Sequence, residues 1–434
     1  MSHGPQDAIA IATQVQAAPA PAYHNSTVTV RTQGELAWLA AYFRAEDGHL
    51  AHSVDSLILH VPFLMPRSYQ LLLQLIRRLT HLTRLRIFHS ELLLSRLPVL
   101  GDHIVNRTSL TELKLDHAGT ISYRFVARLR SRLVSIHVHG FPGTSSLWIF
   151  TAALLQPSAA TLQEINMPNV VLDLRARTIR FPQARTVHIT YDCLAVFDLG
   201  AYKFAFPNLR HFRLSVTPAP SRLLADQEMF RRRNLLAGLS ERGWEDLNRV
   251  YAPPHALWLL GLLTPVDMLS LPIGLGGAAD QRLFDVLAAL NPTHLQLQFQ
   301  NTEDARAVVR DFGTLLEPLR VPRLHTLMLD CYLPLVQLFL KQLLADLVCN
   351  LAALHCEELT VRFFEHVPAA HQRPAPMRPT YVTNVKWDAL TLILLGTCAR
   401  VKRVVVMVST MHGSPPMAVY TANALPPQPQ LADA

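Results

Sequence analysis

Leu82-Thr83-Arg84-Leu85-Arg86-Ile87 is echoed further along by Leu110-Thr111-Glu112-Leu113-Lys114-Leu115. The shared form is apolar-x-x-apolar-x-apolar. Its last residues alternate apolar and polar, which is the mark of a strand with one buried face. The leading apolar residue turns inward just before that strand. The same form recurs in both directions from this pair. It reads Val54-Leu57-Leu59, then Leu133-Ile136-Val138, Leu162-Ile165-Met167, Ala184-Val187-Ile189 and Leu209-Phe212-Leu214. It continues as Leu247-Val250-Ala252, Val266-Leu269-Leu271, Pro292-Leu295-Leu297, Leu324-Leu327-Leu329, Cys356-Leu359-Val361 and Val401-Val404-Val406. The mean spacing is about 29 residues, with gaps from about 19 to about 45, at the long, irregular end of leucine-rich-repeat arrays.

Between these strands lie apolar stretches at helical spacing, as in Ser68–Leu79, Gln281–Leu290 and Leu335–Leu347. Each presents apolar residues at i, i+3, i+4 and i+7, the stripe of a half-buried helix. One strand and one helix, repeated, give parallel strands joined by right-handed crossovers. A doubly wound sheet has the same alternation, but its strands are buried on both faces. Here the positions between the apolar residues are mostly polar: Arg86, Lys114, His137, Asn166, His188, Arg213, Gln296 and Thr360. Only Val401–Val408 reads as buried on both faces, as a last unit covered by the C-terminal segment would be. The expected fold is therefore an α/β, irregular leucine-rich-repeat solenoid of about thirteen units, with parallel strands on the concave face and helices on the convex face. Residues 1–26 and 411–434 are Ala- and Pro-rich and are expected to be disordered. The array is expected over 27–410, capped by a strand at Val28–Val30 and a helix at Gln33–Phe43.

The 434 residues are 50% hydrophobic and 17% charged, with a formal net charge of +8. That balance excludes a largely disordered chain. Mean hydropathy is +0.18, yet the longest apolar stretches are interrupted. Pro265 and Asp267 break one, and Lys341 and Asp346 break another. No membrane span is expected. Cys193, Cys331, Cys349, Cys356 and Cys398 are far apart, without CxxC or zinc-ligand spacing. They read as buried free thiols of a reducing compartment, the cytoplasm or nucleus. A secretory leader is not expected, because Met1–Tyr23 has no basic n-region and its apolar run, Ala8–Ala12, is short.

No catalytic motif stands out, and no enzyme activity or cofactor is expected. Gly274-Leu275-Gly276-Gly277 lacks the strand–GxGxxG–helix setting of a dinucleotide site, and Gly140–Ser145 lacks a P-loop lysine. His137 and His139 share one strand face, but a zinc site needs three or four converging ligands. No metal is expected. Arg124, Arg128, Arg130 and Arg132 form one basic cluster, and Arg231, Arg232 and Arg233 another. They leave open RNA or anion binding as an alternative, beside an α/β enzyme of unknown reaction, but the basic residues are scattered among acids. Nucleic acid is not the expected partner.

The extended candidate site is the outward strand face. It is expected to carry Arg84, Arg86, Glu112, Lys114, Asp116, Ser135, His137, His139, Glu164, Asn166, Thr186, His188 and His211. A long polar ladder of mixed charge suits a protein partner through many modest contacts.

Two stretches carry a family resemblance. Glu35–Phe43 followed by His49-Leu50-Ala51-His52-Ser53-Val54-Asp55-Ser56-Leu57-Ile58-Leu59 resembles the segment after the F-box in fungal F-box/leucine-rich-repeat proteins. Leu82–Ile87 and Leu110–Leu115 are similar to the repeats of that family. The resemblance covers roughly residues 28 to 410, on degenerate motifs. It implies substrate selection for ubiquitination and docking to a Skp/cullin adaptor. Two departures stand out. Ser90, Ala118, Phe141 and Val170 occupy the place of the family's asparagine or cysteine after the strand. The F-box pattern itself is not visible in Met1–Ser26.

Overall fold

A computed structural model describes residues 23–424 except 25, 46–48, 62–63, 141–147, 169, 175–176, 192–197, 217–226, 241–243, 274–280, 300–304, 307, 310–320, 333–336, 352–354, 365–384, 399 and 410–417. The chain divides into two compact units. Unit 1 is Met1–Leu209 with Thr217–Pro220 and Glu241–Gly243, and unit 2 is Arg210–Val216, Ser221–Ser240 and Trp244–Ala434.

Unit 1 runs β1 (Tyr23–His24), β2 (Thr27–Val30), α1 (Gln33–Ala45), α2 (His49–Ser53), β3 (Ser56–Leu59), α3 (Pro66–Arg78), β4 (Arg84–Ile87), α4 (Ser90–Arg96) and α5 (Pro98–Val105). It continues with β5 (Glu112–Ala118), α6 (Thr120–Arg128), β6 (Ser135–Gly140), β7 (Trp148–Thr151), β8 (Glu164–Met167), β9 (Val170–Asp173), β10 (Thr186–Tyr191) and α7 (Leu199–Ala205). Unit 2 contains β11 (His211–Val216), α8 (Gln227–Ser240), β12 (Arg249–Tyr251), α9 (Pro254–Leu260), β13 (Met268–Ile273), α10 (Gln281–Leu290) and β14 (His294–Phe299). It ends with β15 (Thr326–Tyr332), α11 (Gln337–Asn350), β16 (Glu358–Phe364), α12 (Trp387–Thr397), β17 (Arg403–Ser409) and β18 (Ala418–Asn423). Every quoted repeat ends in one of these strands except Leu247-Val250-Ala252, whose last residue lies just past β12. Each unit is an α/β layer around an open, mostly parallel sheet, β2-β3-β4-β5-β6-β8-β10 in unit 1 and β11 to β17 in order in unit 2. β7 and β9 form a separate parallel pair.

The buried face follows from the alternation. Leu57, Leu85, Leu113, Ile136, Ile165 and Val187 are register neighbours on successive strands and are all buried. A slip of one residue would turn this whole row to solvent, so the period-two pattern fixes the register. The residues just before each strand extend the ladder. Thr83 donates its backbone N–H to the Asp55 carbonyl at 2.8 Å, Thr111 to Thr83 at 2.8 Å, and Val134 to Thr111 at 2.7 Å.

Helix signals are equally local. α3 starts with Pro at its first turn, buries Leu72, Leu73, Leu75 and Ile76, and ends on Arg77 and Arg78, which favour the negative helix end. Gly261 ends α9 at φ +60, where an added Cβ would come within 2.9 Å of Leu235.

Serine hydroxyls bond to backbone groups of the neighbouring strand–helix unit. Ser90 Oγ donates to the Asp116 carbonyl at 3.0 Å, and Ser131 Oγ to the Arg107 carbonyl at 2.6 Å. Ser158 Oγ donates to the Ser131 carbonyl at 2.9 Å and accepts from the Leu133 N–H at 3.0 Å. Small buried donors thus satisfy the turns between neighbouring repeats.

Three expectations need correction. Ala418–Asn423, assigned to a disordered tail by composition, forms β18, antiparallel to β17. Val419, Tyr420 and Thr421 have strand propensity that the flanking prolines masked. Tyr23–His24, within the stretch expected to be disordered, pairs antiparallel with β2. Gln296, placed on an open face, is buried, because Ser270 and Asp330 satisfy its amide. Among the described cysteines, Cys331, Cys356 and Cys398 are buried free thiols, whereas Cys349 is exposed. Burial pushes the Cys356 thiol up to about 12 and the Cys398 thiol to about 11. No helix among the described residues is long and apolar enough to cross a membrane.

Candidate functional site

The polar residues of unit 1 fall into two rows by register. Ser56, Arg84, Glu112, Ser135, Glu164 and Thr186 form one row across β3, β4, β5, β6, β8 and β10. Arg86, Lys114, His137, Asn166 and His188 form the next, from β4 to β10, with the apolar Ile58 at the matching position of β3. Alternation puts both rows on the face opposite the leucines. Asp116 and His139 lie two residues further along their strands. His211 belongs to unit 2, where it opens β11 beside Arg249. Burial, then the cations of Arg249 and Arg210, lower its pKa.

The fixed charges on this face pair off. Arg84 meets Asp55 at 3.0 Å, Arg86 meets Asp116 at 3.0 Å, and Lys114 meets Glu112 at 3.0 Å. Asp116 also takes His139 Nδ1 at 3.1 Å. Burial alone would raise the Asp116 carboxyl, but the hydrogen bonds from His139 and Arg86 outweigh it and hold the group below the usual carboxylate range.

Beyond β5 the pairing becomes a directed chain. His188 Nδ1 donates to Asn166 Oδ1 at 2.9 Å, and Asn166 Nδ2 donates to His137 Nδ1 at 3.1 Å. That leaves His137 Nε2–H to donate to Ser135 Oγ at 2.9 Å, while Ser135 Oγ–H donates to Glu164 Oε2 at 3.1 Å. Burial lowers the His137 pKa despite the opposing pull of Glu164, so neutral imidazole is the form this chain needs. Both His137 nitrogens are engaged in hydrogen bonds. Among the described residues no group of three or more His, Cys, Asp or Glu is placed to hold a metal.

Three arginines of the two basic clusters, Arg128, Arg231 and Arg232, pair with acids. Arg128 on α6 pairs with Asp102 at 2.6 Å. Arg231 on α8 stacks over the Trp258 ring at 4.6 Å and lies 3.6 Å from Asp285. Arg282 covers the same ring at 5.0 Å, and Trp258 Nε1 donates to Asp285 at 3.0 Å. Arg232 pairs with Glu228 one turn back on its own helix. The glycine cluster at 274–277, residues 141–145 of the other glycine stretch, and Cys193 lie outside the described residues.

Two features were not read from the sequence. Glu91 on α4 reaches the start of α6, accepting from the N–H groups of Gly119 at 2.9 Å, Ile121 at 3.0 Å and Ser122 at 2.9 Å. Its charge sits where a helix N-terminus favours an anion. In unit 2, Ser270, Gln296, Asp330 and Arg362 form a continuous polar network. Ser270 donates to Gln296 at 2.9 Å, Gln296 to Asp330 at 2.7 Å, and Arg362 clasps Asp330 with two bonds of 2.6 Å. The polar alternation was the signal for Gln296, but its partners lie a repeat or more away in sequence.

No family model and no curated protein matches the sequence.

Proposed function

We propose that the chain is a non-catalytic protein-recognition scaffold, an irregular leucine-rich-repeat solenoid with its strands on the concave side and its helices on the convex side. The observation that carries this reading is the pair of polar rows on unit 1. From β4 to β10 they cross five register-matched strands, about 19 Å at the usual strand spacing. That is the scale of a protein surface. Side chains there are held by mutual hydrogen bonds, so little ordering entropy remains to be lost on binding. The buried thiols suit a reducing compartment, the cytoplasm or nucleus. By the family resemblance, the partner would be a protein selected for ubiquitination and the adaptor a Skp/cullin set.

The test is comparative capture. The full chain at pH 7.5 retains a protein that the Arg84→Glu/Arg86→Glu/Lys114→Glu variant loses, with the variant's far-ultraviolet spectrum unchanged. Equal capture by both overturns the assignment to this face. Mass spectrometry of the captured set shows whether Skp and cullin subunits accompany it, and their absence removes the ubiquitination role.

A further inference from the structure

Four successive repeats place an imidazole at the same end of the sheet: His60 and His89 just past β3 and β4, and His117 and His139 one residue before the ends of β5 and β6. His89 and His117 each lie two residues past the last buried strand residue of the quoted pattern, Ile87 and Leu115. Both adopt the left-handed backbone at φ 52. Non-glycine residues seldom accept that conformation, although His is among the more tolerant. Strain repeated at matched positions is a mark of function. It brings the two rings face to face, with centroids 4.5 Å apart and planes 3° from parallel. Parallel rings do not aim their nitrogens at a common point, which disfavours a shared metal. His60 meets Phe88 edge-on at 4.3 Å, and Arg86 covers the same Phe88 ring at 4.1 Å.

The charged groups around this ledge leave its sign to the imidazoles. Arg86 is matched by Asp116. Glu91 is engaged by the α6 amides. Lys114 is matched by Glu112. Asp116 serves both Arg86 and His139 with one carboxylate. Two imidazolium rings 4.5 Å apart repel unless an anion bridges them. Burial, then His117 and His60, lower the His89 pKa against a smaller opposing pull from Asp116.

We propose that His60, His89, His117 and His139, beside Arg86, form a docking ledge for a carboxylate-rich segment of a protein partner, engaged as the imidazoles take up protons. This rests on the protein-recognition reading and names the chemistry of its partner. Binding and protonation are linked, so an acidic segment draws protons onto the ledge as it docks.

The probe is a fluorescein-labelled decapeptide of alternating Glu and Ser, with the Gln/Ser peptide as control, titrated with the full chain in 0.15 M salt. The expected result is about tenfold tighter binding at pH 5.5 than at pH 7.5 for the Glu peptide only. Calorimetry in two buffers of different ionisation heat should show net proton uptake. His89→Asn/His117→Asn, chosen because Asn tolerates the left-handed backbone, should abolish the pH dependence. His60→Gln/His139→Gln should reduce it without disturbing those turns. Equal affinity at both pH values, equal binding of the Gln peptide, or an unchanged pH dependence in both variants overturns the proposal. Inorganic phosphate competing at millimolar concentration as well as the Glu peptide binds also overturns it, in favour of a small-anion site. Capture at pH 7.5 that is sensitive to Arg84→Glu/Arg86→Glu/Lys114→Glu would survive any of these failures, so the two readings fail separately.

Discussion

The same strand alternation produces two different polar faces. In unit 1 the positions between the buried leucines carry Arg84, Arg86, Glu112 and Lys114, paired but open to solvent, with Arg86 41% exposed. In unit 2 such positions carry Ser270, Gln296 and Asp330, all buried, with Asp330 at 1%. Exposed pairs contribute little to stability, because water screens them and long side chains lose entropy on being held. A buried carboxylate is different. Without Arg362 and Gln296 it would be an uncompensated charge in a medium that solvates it poorly. Thus one pattern yields a face free to evolve toward binding and another face committed to structure.

The largest effect should come from removing the buried hub of unit 2. Asp330→Ala is expected to destabilise by about 3–5 kcal/mol, since it orphans both Gln296 and Arg362. Urea unfolding should show this as a lower midpoint. A change below 1 kcal/mol would erase the contrast between the faces. Next is Glu91→Ala in unit 1, with an expected cost of about 1–2 kcal/mol from three freed amides at the start of α6. Hydrogen exchange at Gly119, Ile121 and Ser122 should quicken in step. Arg86→Ala on the open face should cost below about 1 kcal/mol. A larger loss would mean that the face is structural after all.

The smallest effect is a pH response. His89, His137 and His211 have folded-state pKa values below the ordinary 6.5. The unfolded chain therefore binds more protons than the folded one as pH falls through that value. The stability these groups contribute is present above pH 6.5 and is lost below it. Calorimetry should show a shallow drop in Tm, on the order of a degree, between pH 7.5 and 5.5. A rise in Tm over that range would contradict the assigned neutral tautomer of His137.

Much of this architecture is legible in the sequence because it rests on local spacing. Leu85 and Ile87 alternate with Arg84 and Arg86, and that suffices to assign both the buried row and the polar row. The helix over Gln281–Leu290 follows from its own apolar stripe. What stayed hidden depends on partners brought together by folding. Nothing near Asp330 announces that Gln298 and Arg362 will flank it in register. The cap from Glu91 to α6 spans a repeat, so no capping motif at Gly119 betrays it. The stacked pair His89 and His117 needs two left-handed turns that histidine does not signal. β18 was obscured by the prolines on either side of it.

The link from Glu91 to α6 also bears on how the chain is made. A ribosome releases α4 before α6, so the carboxylate is in place when the amides of Gly119, Ile121 and Ser122 emerge. Ser90 likewise awaits the Asp116 carbonyl, and Thr83 the Thr111 N–H. Each completed strand–helix pair is thus a template for the one still being synthesised. Assembly in this region gains a direction, from the amino end onward, that a symmetric stack of repeats would lack.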